Sequence, residues 1–128
     1  MQALVVDDSE AVRDMLSEYL TQLGFGVEQA GDGFEALAKL QTMPQLAVVL
    51  LDWSLPGMDG LEVLRRVRAD ARYCAVPVMI VATEGETPFV VEAFEAGASE
   101  YLMKPFDAQT VLEKLLLLGV DPEQRRAA

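Results

Sequence analysis

The chain has 128 residues, 52% of them apolar, which suits one domain with one continuous core. Its formal charge of -11 argues against direct nucleic-acid binding, which rests on Lys and Arg neutralising phosphates. No apolar run approaches the roughly 18 residues a membrane span needs, Met1-Gln2-Ala3-Leu4 carries no basic leader, and the lone Cys74 cannot form an internal disulfide, so a cytoplasmic protein without membrane insertion is expected.

Leu4-Val5-Val6 reads as a first strand, after which Ser9 caps a helix carrying Val12, Met15, Leu16, Tyr19, Leu20 and Leu23 until Gly24. Residues 25–30 form a weaker second strand. Asp32, with Glu35 three residues on, opens a second helix carrying Phe34, Leu37 and Leu40, and Pro44 closes the unit. Residues 46–51 are apolar at every position, the mark of a central parallel strand covered on both faces.

That strand ends at Asp52, and a turn-rich loop, Ser54-Leu55-Pro56-Gly57-Met58, leads to Asp59 as the cap of a third helix. Leu61, Leu64 and Val67 are expected inward, with Arg65, Arg66 and Arg68 outward. Residues 76–82 form the fourth strand, with Pro77 near its start. Thr87-Pro88 then supplies a cap and a first helical residue for a short fourth helix ended by Gly97. Tyr101-Leu102-Met103 is the fifth strand. Asp107 caps the last helix, whose stripe of Val111, Leu112, Leu115, Leu116 and Leu118 ends at Gly119 and Pro122. The domain is thus expected over residues 1–120, with a short tail over 121–128 that frays from residue 123.

Five strands alternating with five helices imply a single doubly wound α/β domain, a (βα)5 parallel sheet of the flavodoxin-like order 2-1-3-4-5. Such a sheet gathers ligands outside the carboxyl ends of its strands where strand order reverses, here between strands one and three. Asp7, Asp8, Asp52, Thr83 and Lys104 each follow an apolar strand pattern, so they converge on that edge. Singly, each such residue ordinarily just opens a loop or caps a helix; together they supply complementary groups from several loops at one edge.

Three neighbouring carboxylates raise one another's pKa values unless a counter-charge is present. Mg²⁺, which takes oxygen ligands and favours one or two carboxylates plus a phosphate oxygen, fits an Asp pair facing a lone Asp. Phosphoryl transfer asks a protein chiefly to position a nucleophile and neutralise charge. Asp52 is the candidate nucleophile, since carboxylates form acyl phosphates and it stands alone at the sheet centre. Asp7 and Asp8 would hold the metal, Thr83 would donate to the phosphoryl group, and Lys104 would pair with Asp52 or a phosphoryl oxygen.

At this point Val5-Val6-Asp7-Asp8-Ser9, Leu51-Asp52, Pro56-Gly57-Met58-Asp59-Gly60, Ala82-Thr83, Ala96-Gly97-Ala98, Tyr101 and Lys104-Pro105-Phe106 resemble the receiver domain of bacterial two-component response regulators, over about residues 3–118. Asp52-Trp53 and the Pro-Gly-Met-Asp-Gly-Leu-Glu segment are most similar to stand-alone chemotaxis regulators of the CheY type. The resemblance implies that a partner histidine kinase or phosphotransfer protein passes a phosphoryl group to Asp52 with Mg²⁺; the chain itself has no His. It implies metal ligation by Asp8, by Asp52 and by the backbone carbonyl of Ser54, with Asp7 acting through water. It also implies a cis Lys104-Pro105 peptide and a switch in which the Thr83 hydroxyl moves toward the phosphoryl group while Tyr101 turns inward. The output surface for a downstream protein would be the fourth helix, fifth strand and fifth helix, near which Leu117 lies off the core stripe.

Three positions depart from the common pattern. Glu84 puts a carboxylate beside the phosphoryl pocket, Ser54 stands where chemotaxis regulators often carry Asn, and Gly85 offers no side chain, so the lifetime of a phosphorylated state stays open. The expected function is that of a phosphoacceptor signalling domain rather than an enzyme, with self-phosphorylation and self-dephosphorylation its only implied chemistry. Two alternatives stand beside it: a receiver piece of a larger regulator, and a dehalogenase-like aspartyl-phosphate hydrolase. The second would want an Asp two residues after the nucleophile, where this chain has Ser54. Dinucleotide or flavin binding is disfavoured because Gly31-Asp32-Gly33 follows the second strand rather than the first.

Overall fold

A computed structural model describes residues 1–121. It contains strands β1 (Gln2–Val6), β2 (Gly26–Ala30), β3 (Leu46–Asp52), β4 (Val78–Ala82) and β5 (Glu100–Met103). They alternate with helices α1 (Glu10–Gln22), α2 (Gly33–Leu40), α3 (Gly60–Ala69), α4 (Val90–Glu95) and α5 (Ala108–Leu117), with a 3-10 helix over Glu84–Phe89 before α4. All of the tail expected over residues 121–128 except Asp121, including the part expected to fray from residue 123, lies outside the described residues.

All strand pairs are parallel, in the order β2-β1-β3-β4-β5. Because side chains alternate along a strand, β3 sends Val49 and Leu51 to one face and Val48 and Leu50 to the other, and β4 splits Val78 and Ile80 from Met79 and Val81 in the same way. One face meets Ala36 and Leu40 of α2, Val63, Leu64 and Val67 of α3 and Ala93 of α4. The opposite face meets Leu16 and Leu20 of α1 and Val111 and Leu115 of α5. Each fully buried Leu, Ile or Val contributes roughly 1.5–3 kcal/mol, so the central strands are the least movable part of the molecule.

The helix starts follow the side-chain chemistry expected of them. Ser9, Asp32, Asp59 and Asp107 each accept a backbone N–H from the third residue on, at 3.3, 2.8, 2.9 and 2.8 Å, a contact worth about 1 kcal/mol each. Gly97 closes α4 with a φ of 111°, a left-handed conformation that disfavours any side chain.

Four local expectations are corrected. Phe34 is 64% exposed while Ala36 and Leu40 are buried, because the buried face of α2 runs through Gly33. On α3 Val63 is buried together with Leu64 and Val67, in the place expected of Leu61, which is only half-buried. Arg68 does not point away: its guanidinium donates to the carbonyls of Gly97 at 2.8 Å and Val76 at 2.7 Å and to Ser99 Oγ at 3.3 Å, tying α3 to the α4–β5 turn. Thr87 does not cap the fourth helix, since its hydroxyl donates back to Glu84 O at 2.7 Å. A capping pair formed by Thr83 and Glu86 starts the 3-10 turn four residues earlier, so the α-helix proper begins only at Val90.

Candidate functional site

The residue after β1, the last residue of β3 and the residue after β5 lie along one edge of the sheet. Asp7 and Asp52 are 1% and 3% exposed, whereas Asp8 is open to solvent. One carboxylate oxygen from each of the three comes within 4.8 Å of the others. Lys104 Nζ reaches into the cluster, 3.1 Å from Asp7 Oδ2 and 3.6 Å from Asp52 Oδ1, and the peptide that follows it, Lys104-Pro105, is cis.

The local backbone orients the acids. Asp7 Oδ1 accepts the Ser9 N–H at 2.9 Å, and Asp52 Oδ1 accepts the Ser54 N–H at 3.4 Å. Gly60 lets the start of α3 press against the end of β3: a Cβ there would lie 2.7 Å from Asp52 O and 2.8 Å from Trp53 Cα. Any larger residue would displace the backbone that carries Asp52. Nothing in the sequence beyond the glycine following the Asp59 cap signalled that role.

The electrostatics describe a site short of positive charge. Burial, reinforced by the neighbouring charge of Asp7, pushes Asp52 up to about 7, against the opposing pull of Lys104 and the Ser54 N–H. Burial works to lower Lys104, but contact with Asp7 and attraction to Asp52 overcome it and hold the ammonium above its usual range. Among the described residues buried Asp7 Oδ2 has the Lys104 ammonium, at 3.1 Å, as its ion-pair partner and no further hydrogen bond. A buried carboxylate oxygen with acceptor capacity left unused is unfavourable in a protein interior. Three clustered carboxylate oxygens facing a single ammonium, and so a net negative balance, fit a hard divalent cation.

The remaining candidates occupy different surroundings. Ser54 is exposed two residues beyond Asp52 and joins the site through its N–H. Thr83, also exposed, donates its hydroxyl to Glu86 Oε1 at 3.0 Å and its N–H to the same oxygen at 2.9 Å, so the hydroxyl is committed to a helix cap rather than to the acids. Thr83 shares an open groove of about 410 Å³ with Lys104, Pro105, Phe106, Val12 and Met15. Tyr101 is half-buried, edge-on to Phe94 with centroids 6.3 Å apart, and Lys114 Nζ lies 4.4 Å from its ring centroid. Leu117 is 71% exposed on α5, as its position off the core stripe predicts. The part played by Glu86 was missed, although Thr83 and Glu86 have the three-residue spacing of a capping box.

Comparison with known proteins gives a consistent result. The family model for the response regulator receiver domain matches residues 3–116. Chemotaxis protein CheY1 of Helicobacter pylori is 38% identical over 123 residues, 94% of this chain and 99% of its own length. The chemotaxis protein CheY homolog of Campylobacter jejuni is 40% identical over 116 residues, 90% of this chain and 89% of its own. Among solved structures, chemotaxis protein CheY4 of Vibrio cholerae superposes with a TM-score of 0.85 at 37% identity, covering 91% of this chain and 97% of that one. NtrX of Brucella abortus, with a TM-score of 0.84 at 29% identity, aligns with 98% of this chain but only 28% of its own length.

Proposed function

The chain belongs to the response regulator receiver family, and from that premise we propose that it is a phosphoacceptor which takes a phosphoryl group on Asp52 from a partner histidine kinase or phosphotransfer protein. The observation that carries this reading is the buried Asp52 carboxylate at the end of the central strand, clustered with Asp7 and Asp8 and faced by Lys104. A carboxylate attacks phosphorus only when ionised. With its pKa near 7, Asp52 is poised so that added positive charge tips it into the reactive form.

Mg²⁺ would be held by Asp7, Asp8 and Asp52, with the Ser54 backbone carbonyl as a further ligand, and would supply neutralisation of the three acids and of the incoming phosphoryl oxygens. The chain's own residues do the rest. Asp52 Oδ2, free of the Ser54 bond, is the oxygen offered to phosphorus. Phosphorus leaves the donor's nitrogen or oxygen for this carboxylate, forming an acyl phosphate. Lys104 neutralises the charge that moves onto the site, and the Ser54 N–H orients the acceptor. The Thr83 hydroxyl can join the phosphoryl group only after leaving Glu86, and Tyr101 would register that movement through the 3-10 turn and α4.

Output is binding to a downstream protein through α4, β5 and α5, where Phe94, Val91 and Leu117 stand exposed. The similarity to CheY proteins supports a place in chemotaxis. The likeness to part of NtrX supports the second reading, a receiver segment of a longer regulator with the same Asp52 chemistry. A cytoplasmic setting fits the proposed kinase partner, and among the described residues no helix is long and apolar enough to cross a membrane.

Half-buried Trp53, adjacent to Asp52, provides the test. Mg²⁺ should change its fluorescence, beryllofluoride should change it again, and Asp52→Asn should abolish the second response. A response to beryllofluoride that survives Asp52→Asn would refute the assignment of the acceptor.

A further inference from the structure

Behind the acid cluster lies a polar brace that none of the expected chemistry uses. Arg13, one turn into α1, donates from Nη1 to the carbonyl of Asp7 at 2.8 Å and from Nε to Gln29 Oε1 on β2 at 3.2 Å. Gln29 is itself fixed, donating from Nε2 to Ser17 Oγ at 2.9 Å and to Asp14 Oδ1 at 3.2 Å, while its backbone carbonyl accepts from Lys39. On its other side the Asp7 N–H donates to Ala30 O at 3.1 Å. Both polar groups of the Asp7 main chain are therefore held, the N–H by β2 and the carbonyl by an α1 side chain braced on β2.

Asp8 makes this important. Its carboxylate forms no hydrogen bond or ion pair among the described residues, yet it contributes one of the three clustered oxygens. Its place is thus set through the backbone alone, and the plane of the Asp7–Asp8 peptide, whose carbonyl Arg13 grips, fixes where the Asp8 side chain starts. Mutating partners that orient metal ligands from behind typically costs about 10–100-fold in metal affinity. We propose that Arg13, braced by Gln29, is a positioning residue that presents Asp8 for cation binding; this rests on the divalent-cation reading of the acid cluster.

The sign of the effect separates positioning from charge. Arg13 is a cation near three carboxylates, so electrostatics alone makes its removal favour cation binding. Positioning makes its removal weaken binding. Mg²⁺ titration of the full chain by calorimetry is expected to show about tenfold weaker affinity in Arg13→Gln, a smaller loss in Gln29→Leu, which changes no charge, and recovery of most of the affinity in Arg13→Lys, which restores a donor to Asp7. Unchanged or tighter Mg²⁺ affinity in a folded Arg13→Gln protein overturns the proposal.

Amide hydrogen exchange of the metal-free chain gives a second readout. The Asp7 and Ser9 amides, which donate to Ala30 O and Asp7 Oδ1, should exchange about tenfold faster in Arg13→Gln, reporting a loosened loop, and unchanged protection there also overturns the brace. A wild-type chain that takes up no Mg²⁺ refutes the cation reading itself and the cation role of Arg13 with it. The exchange data would then decide whether Arg13 orders the loop.

Discussion

The two ends of the proposed signalling path differ in how firmly the fold holds them. Asp7 and Asp52 are anchored at the ends of β1 and β3, whose side chains are buried on both faces, and are themselves nearly inaccessible, while Lys104 reaches in from the end of edge strand β5. The segment from Thr83 through α4 is a 3-10 turn and a six-residue helix, and across both elements only Ala93 is buried. Chemistry that depends on distances of a few ångströms sits on the rigid part. The segment proposed to change shape is secured by a capping carboxylate and a few half-buried contacts, as expected of elements drawn from the less stable end of a protein.

The sharpest way to probe the rigid end is to remove its strained charge. Asp52, raised from 3.8 to about 7, holds a proton in the folded state that the unfolded chain gives up between about pH 4 and pH 7. The stability this provides is whole below pH 4 and is lost as pH rises through 7. Asp52→Asn abolishes that loss, so the metal-free variant should be more stable than wild type at pH 8, by as much as about 4 kcal/mol, with the difference closing toward pH 4. Thermal melts across that range check it, and a pH-independent difference would mean Asp52 titrates normally.

Lys104→Met is expected to act in the opposite direction. It leaves Asp7 and Asp52 without their cation and should destabilise the metal-free protein at pH 8 by about 3 kcal/mol. Millimolar Mg²⁺ should restore much of the loss if the acids bind it. Denaturant melts with and without Mg²⁺ would show this, and a loss untouched by Mg²⁺ would argue against the cation site.

At the soft end, Glu86→Ala removes the acceptor of both the Thr83 hydroxyl and its N–H and should lower stability by only about 1 kcal/mol. If Thr83 serves the phosphoryl group, the same variant should speed phosphorylation by a small donor, and Thr83→Ala in that background should cancel the gain. Acceleration that persists without the hydroxyl would assign the effect to lost negative charge instead, as would equal acceleration in Glu84→Ala. The smallest effect is expected at Leu117, 71% exposed: Leu117→Ser should shift stability by less than about 0.5 kcal/mol while weakening any partner that docks on α5.

The same division governs what could be read from the sequence. The strands were legible because a two-face-buried strand shows as an unbroken apolar run, as at residues 46–51, and the helix starts because Ser9, Asp32, Asp59 and Asp107 sit where a side-chain oxygen must meet free N–H groups. The acid cluster followed from strand order. Residues whose roles depend on what lies across space were harder. Arg68 reads as a solvated face until the carbonyls of Val76 and Gly97 surround it, and Phe34 fits a helical stripe that the neighbouring Gly33 turns away from the core. Thr83 stands directly after its strand like the acids, but the carboxylate of Glu86 captured its hydroxyl.

The most direct test is to incubate the chain with acetyl phosphate, with and without Mg²⁺, and follow the phosphoprotein by intact mass, then trap the acyl phosphate with borohydride and map the modified residue. A single phosphoryl group, labile to base and to hydroxylamine, is expected to form with Mg²⁺, map to Asp52 and be absent from Asp52→Asn. Modification at another residue, or none under conditions where the protein is folded and binds Mg²⁺, would contradict the phosphoacceptor reading.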